Sequence, residues 1–177
     1  MDSHVLCIDI GTSSLKGAVI SSEGKPVSFG RIFYSNIKTD GAVWKKALKE
    51  LISSMDSTFF ISAIAVSGNG PTVVPIMRDG SIGIPHLWYE SRETVPVGCR
   101  SLYLPKIRWI YENKRKEYEN TGCFLTVDGF FNRLLTGENS VSVVSDRFVP
   151  FFWSKKDITA AGLDPELFPQ TVKTGSL

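Results

Sequence analysis

Residues 8–20, IDIGTSSLKGAVI, set a carboxylate at the end of one apolar run, follow it with a Gly-Thr-Ser-Ser turn, and leave on a second apolar run. Val5, Leu6, Cys7 and Ile8 predict a strand buried on both faces, and Ala18, Val19 and Ile20 predict another. Ser21-Ser22-Glu23-Gly24-Lys25 is turn chemistry before a third run, Val27 to Tyr34. Three strands on short connections imply an antiparallel meander. Asp9 then stands at a strand end, where a charged group stays solvated or meets a ligand. Gly11 allows close backbone approach to an anion, Thr12, Ser13 and Ser14 add amide and hydroxyl donors, and Lys16 adds a cation. A carboxylate does not bind phosphate, but it holds Mg²⁺ with waters retained, and the metal bridges to phosphate oxygens. The device suits a nucleotide–metal complex. The competing reading is an ordinary hairpin, because Asp-x-Gly-Thr occurs in many and neither a Walker loop nor G-x-G-x-x-G is present.

The 177 residues, 42% hydrophobic and 21% charged, suit a single soluble globular domain with a sizeable core. A net charge of +2 argues against nucleic acid as a partner. Lys114-Arg115-Lys116 is interleaved with Glu112, Glu117 and Glu119, the pattern of a solvated helix face. No apolar stretch reaches the length of a membrane span, and no basic segment precedes a short apolar one at the start, so the expectation is a cytoplasmic protein with no membrane partner. Cys7, Cys99 and Cys123 lack paired spacing, and His4 and His86 are the two histidines. Packing and surface roles fit them better than a disulfide or zinc site.

Further along, Asp40 caps a predicted helix from about Gly41 to Asp56, with Trp44, Leu48, Leu51, Ile52 and Met55 on its core face. Phe59 to Val66 reads as a buried strand ending at Ser67-Gly68-Asn69-Gly70-Pro71-Thr72. Val73–Met77, the turn Arg78-Asp79-Gly80-Ser81 and Ile84–Tyr89 read as a hairpin, irregular at Pro85. A helix is expected from Leu104 to Glu119 with Pro105 in its first turn, then a short apolar link from Phe124 to Val127. Another helix runs from Asp128 to Leu135, stopped by Gly137. The remainder is loop-rich, with an aromatic cluster at Phe148–Trp153 and weak helical character over Asp157–Phe168. The order predicts an α/β fold around a mixed sheet.

IDIGTSSLKGAVI, AIAVSGNGPTVVPIMRDGSIGIPHLW with Arg92, LPKIRWI and VDGFFNRLLTGE, taken in this order, resemble the FGGY carbohydrate kinases, which include xylulose, ribulose, gluconate and glycerol kinases. The resemblance implies a ribonuclease-H-like, actin-like amino-terminal domain, one partial domain over residues 1–177, with ATP and Mg²⁺ as cofactors. It implies that Asp9 holds the metal–nucleotide complex and that Gly11, Thr12, Ser13, Ser14 and Lys16 cradle the terminal phosphates. Phosphoryl transfer rests on positioning and charge stabilisation, which such a turn supplies.

The acceptor side is less regular. Where relatives show Ser-Gly-Gln-Met-His-Gly, this chain has Ser67-Gly68-Asn69-Gly70-Pro71-Thr72; Asn69 retains an amide for a hydroxyl-rich ligand, whereas Gly70 and Pro71 offer no side-chain hydrogen bond. Trp88-Tyr89-Glu90-Ser91-Arg92 falls where relatives show Trp-Asn-Asp-x-Arg, which makes Trp88, Glu90 and Arg92 substrate candidates. Trp88 lines the cleft or fills the core, and the core is the default. Asp128 and Asp146 also fall on family positions, with a helix cap and a loop-fixing hydrogen bond as their expected roles. The family's general base lies beyond Leu177, as do the second phosphate loop and adenosine pocket of the carboxy-terminal nucleotide-binding domain.

Two function classes follow. One is the amino-terminal portion of a sugar or polyol kinase, inactive alone and completed by a carboxy-terminal domain or a second polypeptide. The other is a non-catalytic sugar- or phosphate-binding module or an inactive remnant. In either case an incomplete sheet exposes an edge or apolar surface that needs a partner, a second copy of the chain included.

Overall fold

The computed structural model describes residues 2–35, 40–56, 58–90 and 98–175. They form two units, Met1–Asn69 and Gly70–Leu177.

In the first unit the expected meander is present as β1 (Ser3–Ile10), β2 (Ser14–Ser21) and β3 (Pro26–Phe33), paired antiparallel. Helix α1 (Ala42–Ser54) then leads to β4 (Phe60–Ser67), which returns parallel to β1 and gives the order β3-β2-β1-β4. A parallel return needs a crossover, and the amphipathic α1 supplies it. Asp40 Oδ1 accepts from the Ala42 amide at 2.8 Å at the start of α1. Trp44, Ala47, Leu48 and Leu51 of the helix are buried. Ile52, expected on the core face, is 46% exposed because the sheet meets α1 along the stripe centred on Leu51.

That stripe sits on a pair of glycines. Gly17 of β2 is the cross-strand partner of Gly30 of β3. A Cβ at Gly17 would lie 2.8 Å from Leu51 Cδ2, and one at Gly30 would lie 2.8 Å from Leu51 Cδ1. The missing side chains therefore make the seat for Leu51. Leu6, Ile8 and Ile10 of β1 and Leu15 and Val19 of β2 are buried on this α1-facing side.

The first strand is not buried on both faces, as the apolar run suggested; burial alternates along it, and Cys7 and Asp9 point to the open side. The run Phe59–Val66, expected to be a buried strand, is an edge strand, with Phe60 54% and Ile64 44% exposed. Composition alone cannot tell a central strand from an uncovered edge.

The second unit holds β5 (Val73–Met77), α2 (Leu104–Asn113), α3 (Arg115–Asn120), β6 (Thr121–Thr126), α4 (Val127–Thr136), β7 (Val141–Val143), α5 (Lys155–Ala160) and β8 (Thr171–Lys173). The Arg78–Ser81 turn is made, with Gly80 at φ 84° and Asp79 Oδ1 accepting from the Ser81 amide at 2.8 Å. Residues 84–89 make a single isolated bridge to β5, Val73 with His86, and Ile82 makes another with Ile76. The partner of β5 is instead β6, read from sequence as a mere link. The expected helix 104–119 breaks at Lys114 into α2 and α3.

Helix α4 is capped by Thr126, whose Oγ1 accepts from the Gly129 amide at 3.1 Å, rather than by Asp128. It ends at Gly137 in the left-handed region, as expected. Asp146 opens a 3₁₀ turn (Asp146–Phe151) in an exposed position, and its carboxylate makes no loop-fixing hydrogen bond among the described residues. Tyr103, Phe152, Trp153 and Phe168 build an aromatic cluster, with Tyr103 and Phe152 stacked at 5.2 Å between ring centroids. Among the described residues no helix is long and apolar enough to cross a membrane.

Candidate functional site

The β1–β2 connection is tight because the Gly11 amide donates to the Ser14 carbonyl at 3.0 Å. A Cβ on Gly11 would stand 3.0 Å from that same oxygen, so glycine is needed for the turn to close. The Gly11 N–H is thereby committed to the turn. β3 braces the turn from outside, since the Tyr34 amide donates to the Ser13 carbonyl at 3.0 Å and the Tyr34 hydroxyl donates to the Gly11 carbonyl. Burial, with a further push from the Asp9 carboxylate, raises the Tyr34 phenol to about 12, so it remains a neutral donor at physiological pH.

On the open face of the sheet, register places four polar side chains in one row: Ser67, Asp9, Lys16 and Arg31, from β4, β1, β2 and β3 in turn. Lys16 Nζ lies 2.9 Å from Asp9 Oδ2, with both side chains partly exposed. Arg31 Nε donates to Ser14 Oγ at 3.1 Å, and its guanidinium lies 4.3 Å from the centre of the Phe33 ring. Ser14 is buried by these contacts, Thr12 is half-buried, and Ser13 is exposed at the tip. The next row on this face is Ala65, Cys7, Ala18 and Phe29. These small residues floor an open hollow of about 430 Å³ below the Asp9–Lys16 pair, with Phe29 as one wall.

Among the described residues no three His, Cys, Asp or Glu side chains gather in a way that would hold a metal by themselves. Mg²⁺ on nucleotide phosphates needs only one or two carboxylates beside the phosphate oxygens. A single exposed Asp9, set in its row between Ser67 and Lys16 and followed in the chain by the turn hydroxyls of Thr12 and Ser13, is a hard-oxygen donor that fits such a complex.

The acceptor candidates are placed separately. Asn69 is half-buried, two residues past the end of β4, at the close of the first unit. In the second unit, Trp88 is 49% exposed, which overturns its assignment to the core. Its neighbour Leu87 takes the core position, the Trp88 amide donates to Thr72 Oγ1 at 3.2 Å, and the indole meets Tyr89 edge-on. Gly70, with φ 68°, packs under it; a Cβ there would lie 3.3 Å from Trp88 Cβ. Glu90 is turned back on its own loop, with Oε1 accepting from the Leu87 amide at 3.2 Å and Oε2 3.6 Å from His86 Nδ1. Arg92 lies outside the described residues.

His86 is the residue that sequence reasoning passed over on this side. It is buried, with Nε2 3.7 Å from Glu117 Oε1, so one imidazole stands between two carboxylates. His86, helped by Lys114, holds the Glu117 carboxyl below its ordinary range. On the hairpin side the overlooked residues are Tyr34 and Arg31. Their signal in the sequence was only alternation along Val27–Tyr34, which puts Arg31 on the face of Lys16.

No family model matches the chain. The chain is similar to the xylulose kinase of Staphylococcus xylosus, 24% identical over 216 residues that take in 99% of this chain and 44% of that protein. Among solved structures it resembles the xylulose kinase from Lactobacillus acidophilus, at TM-score 0.77 and 15% identity, over 96% of this chain and 42% of that one. It also resembles the gluconate kinase of the same organism, at TM-score 0.77, 14% identity and 97% and 42% coverage. The glycerol kinase from Plasmodium falciparum, solved with ADP, matches at TM-score 0.74 and 13% identity over 96% and 43% of the two chains. The chain thus spans less than half the length of these relatives. Along nearly its whole length it has the fold of, and resembles in sequence, the amino-terminal actin-like portion of the FGGY carbohydrate kinases.

Proposed function

We propose that this chain supplies the amino-terminal half-site of an ATP-dependent carbohydrate kinase that phosphorylates a sugar or polyol hydroxyl. The observation that carries the reading is the braced hairpin turn beside an exposed Asp9–Lys16 pair, in a fold shared with sugar kinases. Asp9 takes the Mg²⁺ of the nucleotide complex, and Thr12, Ser13 and Lys16 receive terminal phosphate oxygens. Bound Mg²⁺ would neutralise charge on the phosphates; the protein's own part is to position them and to exclude competing geometries. Asn69, Trp88, Glu90 and Arg92 serve the acceptor, with the exposed Trp88 indole as a face for a sugar ring and Glu90 held ready by His86. The general base and the adenosine pocket belong to the remaining length that the relatives have, carried by a continuation of this polypeptide or by a second one in the same cytoplasmic compartment.

The test is calorimetric titration of the chain with ATP and Mg²⁺, then an assay of sugar-dependent ADP release after adding a carboxy-terminal half from a xylulose kinase. Nucleotide binding that is lost in Asp9→Ala, with turnover only in the complemented sample, supports the reading. Equal binding by Asp9→Ala ends the metal assignment.

The second reading, a non-catalytic binding module, is favoured by one feature: Gly70 and Pro71 lack the side chains that relatives aim at the sugar. Sugar binding without any turnover in the complemented sample decides for it.

A further inference from the structure

We propose that Arg31, rather than Lys16, is the principal cation for the phosphoanion at the hairpin turn; this rests on the reading of that turn as a nucleotide phosphate site. Lys16 and Arg31 are cross-strand partners on the same open face, so both ammonium and guanidinium border the turn. Their electrostatic situations differ. Lys16 has a carboxylate partner, Asp9, at 2.9 Å. Arg31 has none among the described residues: its contacts are the neutral Ser14 hydroxyl and the Phe33 ring. It therefore carries the uncompensated positive charge of the row.

The two contacts of Arg31 also fix its orientation. A guanidinium presents five N–H donors in a planar fork. Nε is engaged by Ser14 Oγ at 3.1 Å, and the plane is held by Phe33. Ser14 is buried and belongs to the turn itself, so the fork is anchored directly to the phosphate-facing backbone. The remaining edge, with the two Nη groups, is left for an exogenous acceptor with bidentate geometry, the arrangement that phosphate oxygens match. An arginine that only decorated an edge strand would need neither the buried hydroxyl nor the ring. Lys16, in turn, neutralises the Asp9 carboxylate, which would otherwise repel the incoming phosphates.

The experiment uses the full chain and two probes, ATP and inorganic tripolyphosphate without metal, each titrated calorimetrically. Arg31→Ala is expected to weaken tripolyphosphate binding at least tenfold and Arg31→Lys to restore part of it, whereas the double variant Asp9→Asn with Lys16→Ala, which removes the ion pair without leaving a bare carboxylate, weakens it by a smaller factor than Arg31→Ala. Thermal melts of each variant separate lost folding from lost charge, and Arg31→Gln, which keeps a donor to Ser14, replaces Arg31→Ala if that variant does not fold. Wild-type affinity in Arg31→Ala, with a large loss in Lys16→Ala or Asp9→Ala, overturns the assignment of Arg31 and leaves the nucleotide site standing. No binding of either probe by the unaltered chain overturns both.

Discussion

Lys16 Nζ and Asp9 Oδ2 meet at 2.9 Å across the β1–β2 pair, on a face of the sheet that is open to solvent. An ion pair this exposed contributes about 0.2–1 kcal/mol to folding. Fold stability alone is therefore a weak reason to place it there. Asp9→Asn is expected to leave the melting temperature within a few degrees of wild type and to weaken MgATP by about tenfold, equivalent to about 1.4 kcal/mol. Metal-free ATP should bind Asp9→Asn at least as well as wild type, since a negative charge facing the phosphates is gone. Calorimetry with and without Mg²⁺ checks both arms.

Tyr34 ties the end of β3 to both ends of the turn, through its amide to Ser13 and its hydroxyl to the Gly11 carbonyl. Tyr34→Phe removes the side-chain bond alone. The expected loss of stability is about 1 kcal/mol, read as a shift of the urea midpoint. Because burial sets the phenol at about 12, this loss should be constant between pH 6 and pH 9. A loss that varies across that range would mean that another group, not the phenol, is responsible.

The central sheet was legible from sequence because three apolar runs separated by turn residues leave few alternatives, and the helix after them had a clear 3.6-residue stripe. The placement of Asp9, Lys16 and the turn at one end of the sheet was legible for the same reason: they sit at fixed offsets from those runs. Burial was misjudged where it depends on what covers a face. Phe60 and Ile64 are apolar yet exposed, and Trp88 yields the core to Leu87. β6 was missed because Thr121–Thr126 is short and becomes a strand only by pairing with β5. The contacts of His86 with Glu90 and Glu117 join residues whose spacing carries no motif.

The His86 cluster gives the acid limb of stability a definite sign. The Glu117 carboxyl is held below its ordinary 4.5, first by His86. A depressed carboxyl contributes stability that is fully present above the unfolded value and is lost as pH falls through the folded one. Wild-type stability should therefore fall as pH drops below 4.5. Glu117→Gln should be less stable than wild type at pH 7 and show a shallower decline in that acid range. Denaturant titrations at pH 7, 5, 4 and 3 measure it; parallel curves for the two proteins would sink the assignment. His86→Leu leaves Glu90 and Glu117 without the imidazole between them, with an expected loss of about 1–3 kcal/mol.

Leu51 rests on two cross-strand glycines, and the seat can be tested from either side. A Cβ at Gly17 or at Gly30 would come within 2.8 Å of a Leu51 methyl, far inside normal contact. Gly30→Ala, where Leu51 Cδ1 is the one atom inside 3 Å, therefore has to push a fully buried leucine off the sheet, and overpacking of this kind costs about 1–3 kcal/mol. Leu51→Ala alone removes a buried side chain and costs about 2–5 kcal/mol. The pair Gly30→Ala with Leu51→Ala should be less destabilised than the sum of the two single losses, because the new methyl occupies space that the leucine has vacated. Additive losses in a double-mutant cycle would show that the glycines are not the seat of the leucine, and that α1 is held to the sheet by Trp44 and Leu48 instead.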